Sequence, residues 1–168
     1  MVKYLKIIAV MSFSLLSCQS ISKVSDRLSK KVENFSSSDF PVIKFNRLYM
    51  MDGMYRTNEN FELIQPKLEI HRGSDNEHSS DYLIINDNGT VDEFYAKDIS
   101  SANLLMNKKS SSVYSGVIYK EKDKIIVEVM QAFKMGGGYG TYKKFLKIVG
   151  DKIYIQDGKN CSVYTLVE

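Results

Sequence analysis

Two histidines, His71 and His78, share a polar stretch with Asp75, Glu77 and Asp81. Imidazole and carboxylate are groups that bind zinc, but a zinc site needs its ligands held by regular structure. Residues 72–80 read as a loop, so no metal is expected there. The same imidazoles are the candidates for a general base. No acid is placed to orient either of them, and no Gly-x-Ser-x-Gly element offers a nucleophile. Asp92 and Glu93 are neighbours on a predicted strand and so project to opposite faces, which rules them out as a facing carboxylate pair. Gly136, Gly137, Gly138, Tyr139 and Gly140 could cradle a phosphate only at the start of a helix. Residues 141–149 read instead as a strand, so the cluster is expected to be a hairpin tip. Cys161 lies among strand-forming residues, where a buried inert thiol is the plainer reading and redox chemistry the sharper one. These residues together predict neither an enzyme nor a cofactor.

The other thiol, Cys18, stands in a different setting. The chain opens with Lys3 and Lys6, then an apolar run of about ten residues, far short of the roughly 20 that span a bilayer. The run ends Leu15-Leu16-Ser17-Cys18, which resembles the lipobox of bacterial lipoproteins. That resemblance implies diacylglycerol joined to the Cys18 sulfur, cleavage after Ser17 and acylation of the new amine by a fatty acid such as palmitate. Several acyl chains hold a protein to a bilayer far more firmly than one, since each buried methylene contributes about 0.8 kcal/mol. Gln19 follows the cysteine where the sorting rule of such lipoproteins places Asp for inner-membrane retention. The expected location is therefore the bacterial cell envelope, at the outer membrane.

Composition narrows the partners. The chain has 23 basic and 20 acidic side chains; removing residues 1–17 takes away Lys3 and Lys6 and no acid, leaving 21 against 20. Nucleic-acid binding needs a basic stripe, and a near-neutral domain does not provide one. The 151 residues left after cleavage suffice for one domain. With Cys18 committed to lipid, no internal disulfide can form.

The elements that position these residues follow from hydrophobic periodicity. The expected organisation is a signal peptide over residues 1–17, an acylated N-terminus and tether over 18–40, and a β-domain over 41–168. Within the tether, Ile21, Val24, Leu28 and Val32 recur every three or four residues and predict a short amphipathic helix, with Ser36-Ser37-Ser38 beyond it. After Pro41 the period becomes two. Runs at residues 48–55, 82–85, 113–119, 125–130, 142–149, 153–155 and 163–167 alternate with Asn88-Gly89, Gly150-Asp151 and Asp157-Gly158, the residue pairs of tight turns. Val42 and Ile43 read as the start of the first run, Pro66 interrupts a stretch from Leu63 to Ile70, and a weak helix is expected near Ile99 to Met106. The pattern predicts an all-β, antiparallel up-and-down barrel of eight or nine strands.

Residues 48–55, the segment Leu83-Ile84-Ile85-Asn86-Asp87-Asn88-Gly89-Thr90-Val91, residues 124–129, and the closing 150–155 and 163–166 resemble in order and pattern the small lipocalin-like lipoproteins of Gram-negative bacteria. Gly53-Met54-Tyr55 stands where lipocalins carry Gly-x-Trp. The resemblance implies an eight-stranded meander barrel that holds a small apolar ligand. Tyr114, Met130, Tyr142, Tyr154 and Tyr164 come from different predicted strands, and lining that cavity is their sharper reading; filling a core is the plainer one. Met135 and Tyr139, on the glycine-rich tip, would guard the mouth. Two functions follow as expectations. One is a lipid-anchored module carrying a small apolar ligand. The other is an interaction lipoprotein with a filled core, whose loops at residues 72–80 and 136–140 meet a protein partner.

Overall fold

The computed structural model describes residues 21–64, 79–108, 114–132 and 138–167. Eight strands run β1 (Leu48–Arg56), β2 (Ser80–Ile85), β3 (Thr90–Ala96), β4 (Tyr114–Glu121), β5 (Lys124–Ala132), β6 (Tyr139–Val149), β7 (Lys152–Asp157) and β8 (Asn160–Leu166). Each pairs antiparallel with the next, and β8 returns to β1, closing an up-and-down barrel. Closure leaves no sheet edge to recruit another chain. The expected first run is shorter than its pattern: Val42 and Ile43 precede β1, which starts at Leu48.

The strand phase is fixed by a single packed cluster to which every strand contributes. It contains Tyr49, Leu83, Ile85, Val91, Ile118, Val127, Val129, Leu146, Ile153, Ile155 and Tyr164. In a closed barrel, a cluster shared by all strands is the lumen, so residues of the alternate phase face out. The turns between β2 and β3, β4 and β5, and β6 and β7 define one end, called here the turn end. The opposite end, where β1, β3, β5 and β7 finish, is called the loop end.

The turn end is plugged. Phe35, Phe40, Ile43 and Phe45 pack against the lumen cluster. Phe35 stacks on Phe40 at 5.4 Å between ring centroids and meets Phe45 edge-on at 5.9 Å. Gly89, in the β2–β3 turn at φ 84°, lies under the Phe35 ring; a Cβ there would collide with that ring. A glycine thus serves both the left-handed turn and the close approach of the plug.

Two helices cover sectors of the outer wall. Helix α1 (Ile21–Glu33) buries Val24 and Leu28 and lies against β4, β5 and β6. The amphipathic stripe does form a helix, and the helix is docked rather than extended from the barrel. Arg27 and Lys31 share the face of Val24 and Leu28, and their partner is Glu128 on β5, 3 % exposed. Helix α2 (Ile99–Lys108) starts at Asp98, whose Oδ1 accepts from the Ser101 N–H at 2.7 Å in the manner of an N-cap. It contributes Ala102 and Leu105 to a second cluster with Leu48, Tyr82, Ile84 and Phe94, on the outer face of β1–β3. Among the described residues, no helix is long and apolar enough to cross a membrane.

Candidate functional site

Register places the aromatic residues singled out above on both faces. Tyr164 belongs to the lumen cluster, and Tyr142, paired with Val129, packs against it. Met130 lies between the lumen phase and shares its face with Glu128, outside. Tyr154, between Ile153 and Ile155, also faces out. Tyr114, the first residue of β4, pairs with Glu93 of β3; its side chain lies outside the described residues. Tyr139 opens β6 half-buried. Met135, His71, Asp75, Glu77, His78 and Cys18 lie outside the described residues. Among those described, no group of three or more His, Cys, Asp or Glu side chains is placed to hold a metal. Cys161 is fully buried, and burial pushes its thiol up to about 11, so it stays protonated.

Asp92 and Glu93 take opposite faces. Asp92 accepts from Asn86 Nδ2 at 2.8 Å outside, while Glu93 points inward and meets Lys144 of β6 across the lumen. Lys144 Nζ donates to both carboxylate oxygens, at 3.0 and 2.9 Å. Burial alone would lower the Lys144 ammonium, but the charge and hydrogen bonds of Glu93 more than offset it, and the net direction is up. Tyr164 lies in the same group. Burial, then the negative charges of Glu93 and Asp81, raise its hydroxyl well above the ordinary tyrosine range, so it remains neutral. A small pocket of about 230 Å³ touches this group beside Met51, Met54 and Ser162. It opens where β1 pairs with β2 only through Leu48, Met50 and the residue between them. Its volume is below the roughly 300–1,000 Å³ of small-molecule sites, and its charges already satisfy each other.

The larger cavity is on the outer wall. A cleft of about 720 Å³ runs along β6, lined by Phe61, Phe145, Ile148, Lys124, Lys147 and Gln156, among others. Lys124 Nζ lies 4.7 Å from the Phe145 ring centroid and Lys147 Nζ 6.0 Å from that of Phe61, so both ammonium groups stand over aromatic faces. One wall is a tight turn built on Asn58. Its Oδ1 accepts from the N–H of Asn60 at 2.9 Å and of Glu62 at 3.0 Å. Gln156, buried, donates from Nε2 to the carbonyls of Asn58 at 2.8 Å and Gly158 at 3.1 Å, fastening the turn to the barrel. Within it Phe61 is held at φ 64°, a conformation that costs a non-glycine residue about 1–2 kcal/mol. Side-chain bonds that fasten a strained aromatic beside a cleft mark a candidate site. Sequence reasoning missed this turn; the only signal it offered was Asn58 ahead of Phe61, since Asn seeds such turns.

No protein-family model matches the chain, and no curated protein and no solved structure matches it. The geometry defines a class, a closed eight-stranded up-and-down β-barrel, plugged at one end and with a luminal cluster drawn from every strand.

Proposed function

We propose that this chain is a lipocalin-like lipoprotein held at the bacterial outer membrane through lipid on Cys18, and that it acts as an interaction module. The lumen is its structural core, and the cleft between Phe61 and β6 receives a protein partner. The observation that supports this reading is the packed luminal cluster: it takes side chains from all eight strands, and the pocket beside the Glu93–Lys144 ion pair is small. A carrier of apolar ligands needs an emptier interior. The cleft fits a partner's apolar side chains between Phe61 and Phe145, with the lysines at its rim.

The test has two arms. Native mass spectrometry of the purified mature protein is expected to find no copurifying lipid, and a fluorescent fatty acid is expected to show no saturable binding. A photo-crosslinker in place of Lys147 is expected to capture one defined envelope protein in cells, and Phe145→Ala is expected to abolish that product. A copurifying lipid, displaced from the lumen by the fluorescent fatty acid, would establish the ligand-carrier reading in its place.

A further inference from the structure

The position of α1 bears on how the barrel sits on a bilayer. Arg27 reaches Glu128, midway along β5, and Thr141, near the loop end of β6, while four residues later Lys31 reaches the same Glu128 and Tyr119, near the turn end of β4. Beyond the helix, Phe35 packs on Gly89 in a turn-end hairpin. The helix therefore runs from the loop end towards the turn end. Ile21 lies six residues before Arg27, about 9 Å further along the helix at 1.5 Å per residue, and so at the loop end. Cys18 is three residues before Ile21, and three residues of extended chain reach about 11 Å at most.

We propose that the loop end of the barrel lies against the lipid surface, with the plugged turn end facing away from it. This rests on the anchor reading above, because the lipid on Cys18 is what brings the bilayer within about 11 Å of Ile21. A docked α1 leaves little free chain, so the barrel cannot stand off from the surface or turn over freely.

A second observation, independent of the anchor, points to the same end. Among the described residues, eight large apolar side chains are exposed, and five of them belong to the loop end: Ile21, Leu63, Ile64, Tyr95 and Ile99. Tyr95 is the penultimate residue of β3, and Ile99 opens α2 just after that strand. Leu63 bridges to Thr57 just past β1, and the Ile64 N–H donates to the Arg56 carbonyl at 3.0 Å. Ile64 is 57 % exposed and Leu63 48 %. Interfacial binding scales with apolar area inserted among the headgroups, so the exposed apolar surface of Ile21, Leu63, Ile64 and Ile99 is buried when this end meets the bilayer. The turn end holds Val42 and Val149 alone of the eight.

The experiment uses the full lipidated protein in phosphatidylethanolamine–phosphatidylglycerol vesicles carrying a nitroxide-labelled headgroup lipid. A fluorophore is placed on Lys159→Cys, in the β7–β8 turn at the loop end, or on Asp151→Cys, in the β6–β7 turn at the other. Cys161 is buried and stays unlabelled. The two sites are separated by the length of β7, about 20 Å, so the label at 159 is expected to lose about half its emission and that at 151 about a tenth. Leu63→Ser with Ile64→Ser is expected to narrow the difference without altering the lipid mass on Cys18. Equal quenching at both sites, or stronger quenching at 151, overturns the orientation. So does a difference that grows with protein density in the vesicle, which would mean the loop end meets a second copy. Failure of the anchor reading is read separately: the mature protein would then lack the mass of a thioether-linked diacylglycerol and would not partition into vesicles.

Discussion

The buried carboxylate of Glu128 offers the sharpest test of how α1 is held. Its Oε2 accepts from Lys31 Nζ and Tyr119 Oη, each at 2.8 Å, and its Oε1 from Arg27 Nη2 at 3.1 Å and Thr141 Oγ1 at 2.5 Å. Burial pushes this carboxyl up, and the bonds to Lys31, Thr141 and Tyr119 with the Lys31 charge overcome it, leaving it at about 2 against an ordinary 4.5. At 1.36 kcal/mol per unit, the contribution is at most about 3 kcal/mol. The folded value is the lower one, so this stability is fully present above pH 4.5 and is lost as pH falls towards about 2.

The two sides of the pair are not equivalent. Arg27 is 47 % exposed and Lys31 27 %, whereas Glu128 is 3 % exposed. Glu128→Gln leaves two cations that water can reach; it mimics the protonated carboxyl, so at pH 7 it costs at most about 3 kcal/mol. Arg27→Met with Lys31→Met strands a buried carboxylate on two hydroxyls, and costs about 3 kcal/mol or more. Peeling α1 away caps that cost, because Val24 and Leu28 then lose roughly 1.5–3 kcal/mol of burial each. Urea unfolding of the mature protein at pH 7 measures both. Between pH 5 and 2.5 the wild type should lose stability relative to Glu128→Gln. If the gap between wild type and Glu128→Gln at pH 7 does not narrow over that range, the charge on this carboxylate does not hold α1 and the reasoning fails.

Three further outcomes are expected. Lys144→Met leaves Glu93 unpaired in the lumen and should cost about 2–3 kcal/mol in urea unfolding, whereas adding Glu93→Leu should restore most of it, because well-packed apolar pairs replace buried ion pairs at little cost. Gly89→Ala should cost about 2–4 kcal/mol from its positive φ and its collision with Phe35, while Gly158→Ala, at φ 59° with open space around it, should cost about 1 kcal/mol. Cys161 should resist a maleimide at pH 8 in the native state and react at once in denaturant, because its thiol is pushed up to about 11 by burial.

The barrel was legible in the sequence because its devices are local. Alternating runs give strands, and Asn88-Gly89, Gly150-Asp151 and Asp157-Gly158 give turns whose glycines stand at φ 84°, 62° and 59°. What local pattern does not set is phase. The run Ile125-Ile126-Val127-Glu128-Val129-Met130 is apolar on both faces because α1 covers its outer side, and Tyr82-Leu83-Ile84-Ile85 because the cluster with α2 does. Period two then cannot say whether Met130 or Val129 faces the lumen. The charged contacts were hidden for a related reason. Glu128 meets Lys31 across 97 residues of chain, and Glu93 meets Lys144 across 51. A carboxylate on a strand reads as solvated until the element that covers it is known.

The division of the outer wall says where recognition has room to occur. Helix α1 takes the sector of β4 to β6 that carries Glu128, and α2 takes the outer face of β1 to β3. The turn end is closed by the phenylalanines around Phe40. Among the described residues, no helix lies over the turn-end half of β6 and the adjoining β7, and here the chain has fastened a strained turn with Gln156, set Phe61 and Phe145 in one cleft, and laid two lysines over the rings. A turn kept at such a cost, on a sector that neither helix covers among the described residues, is what supports placing the proposed partner there.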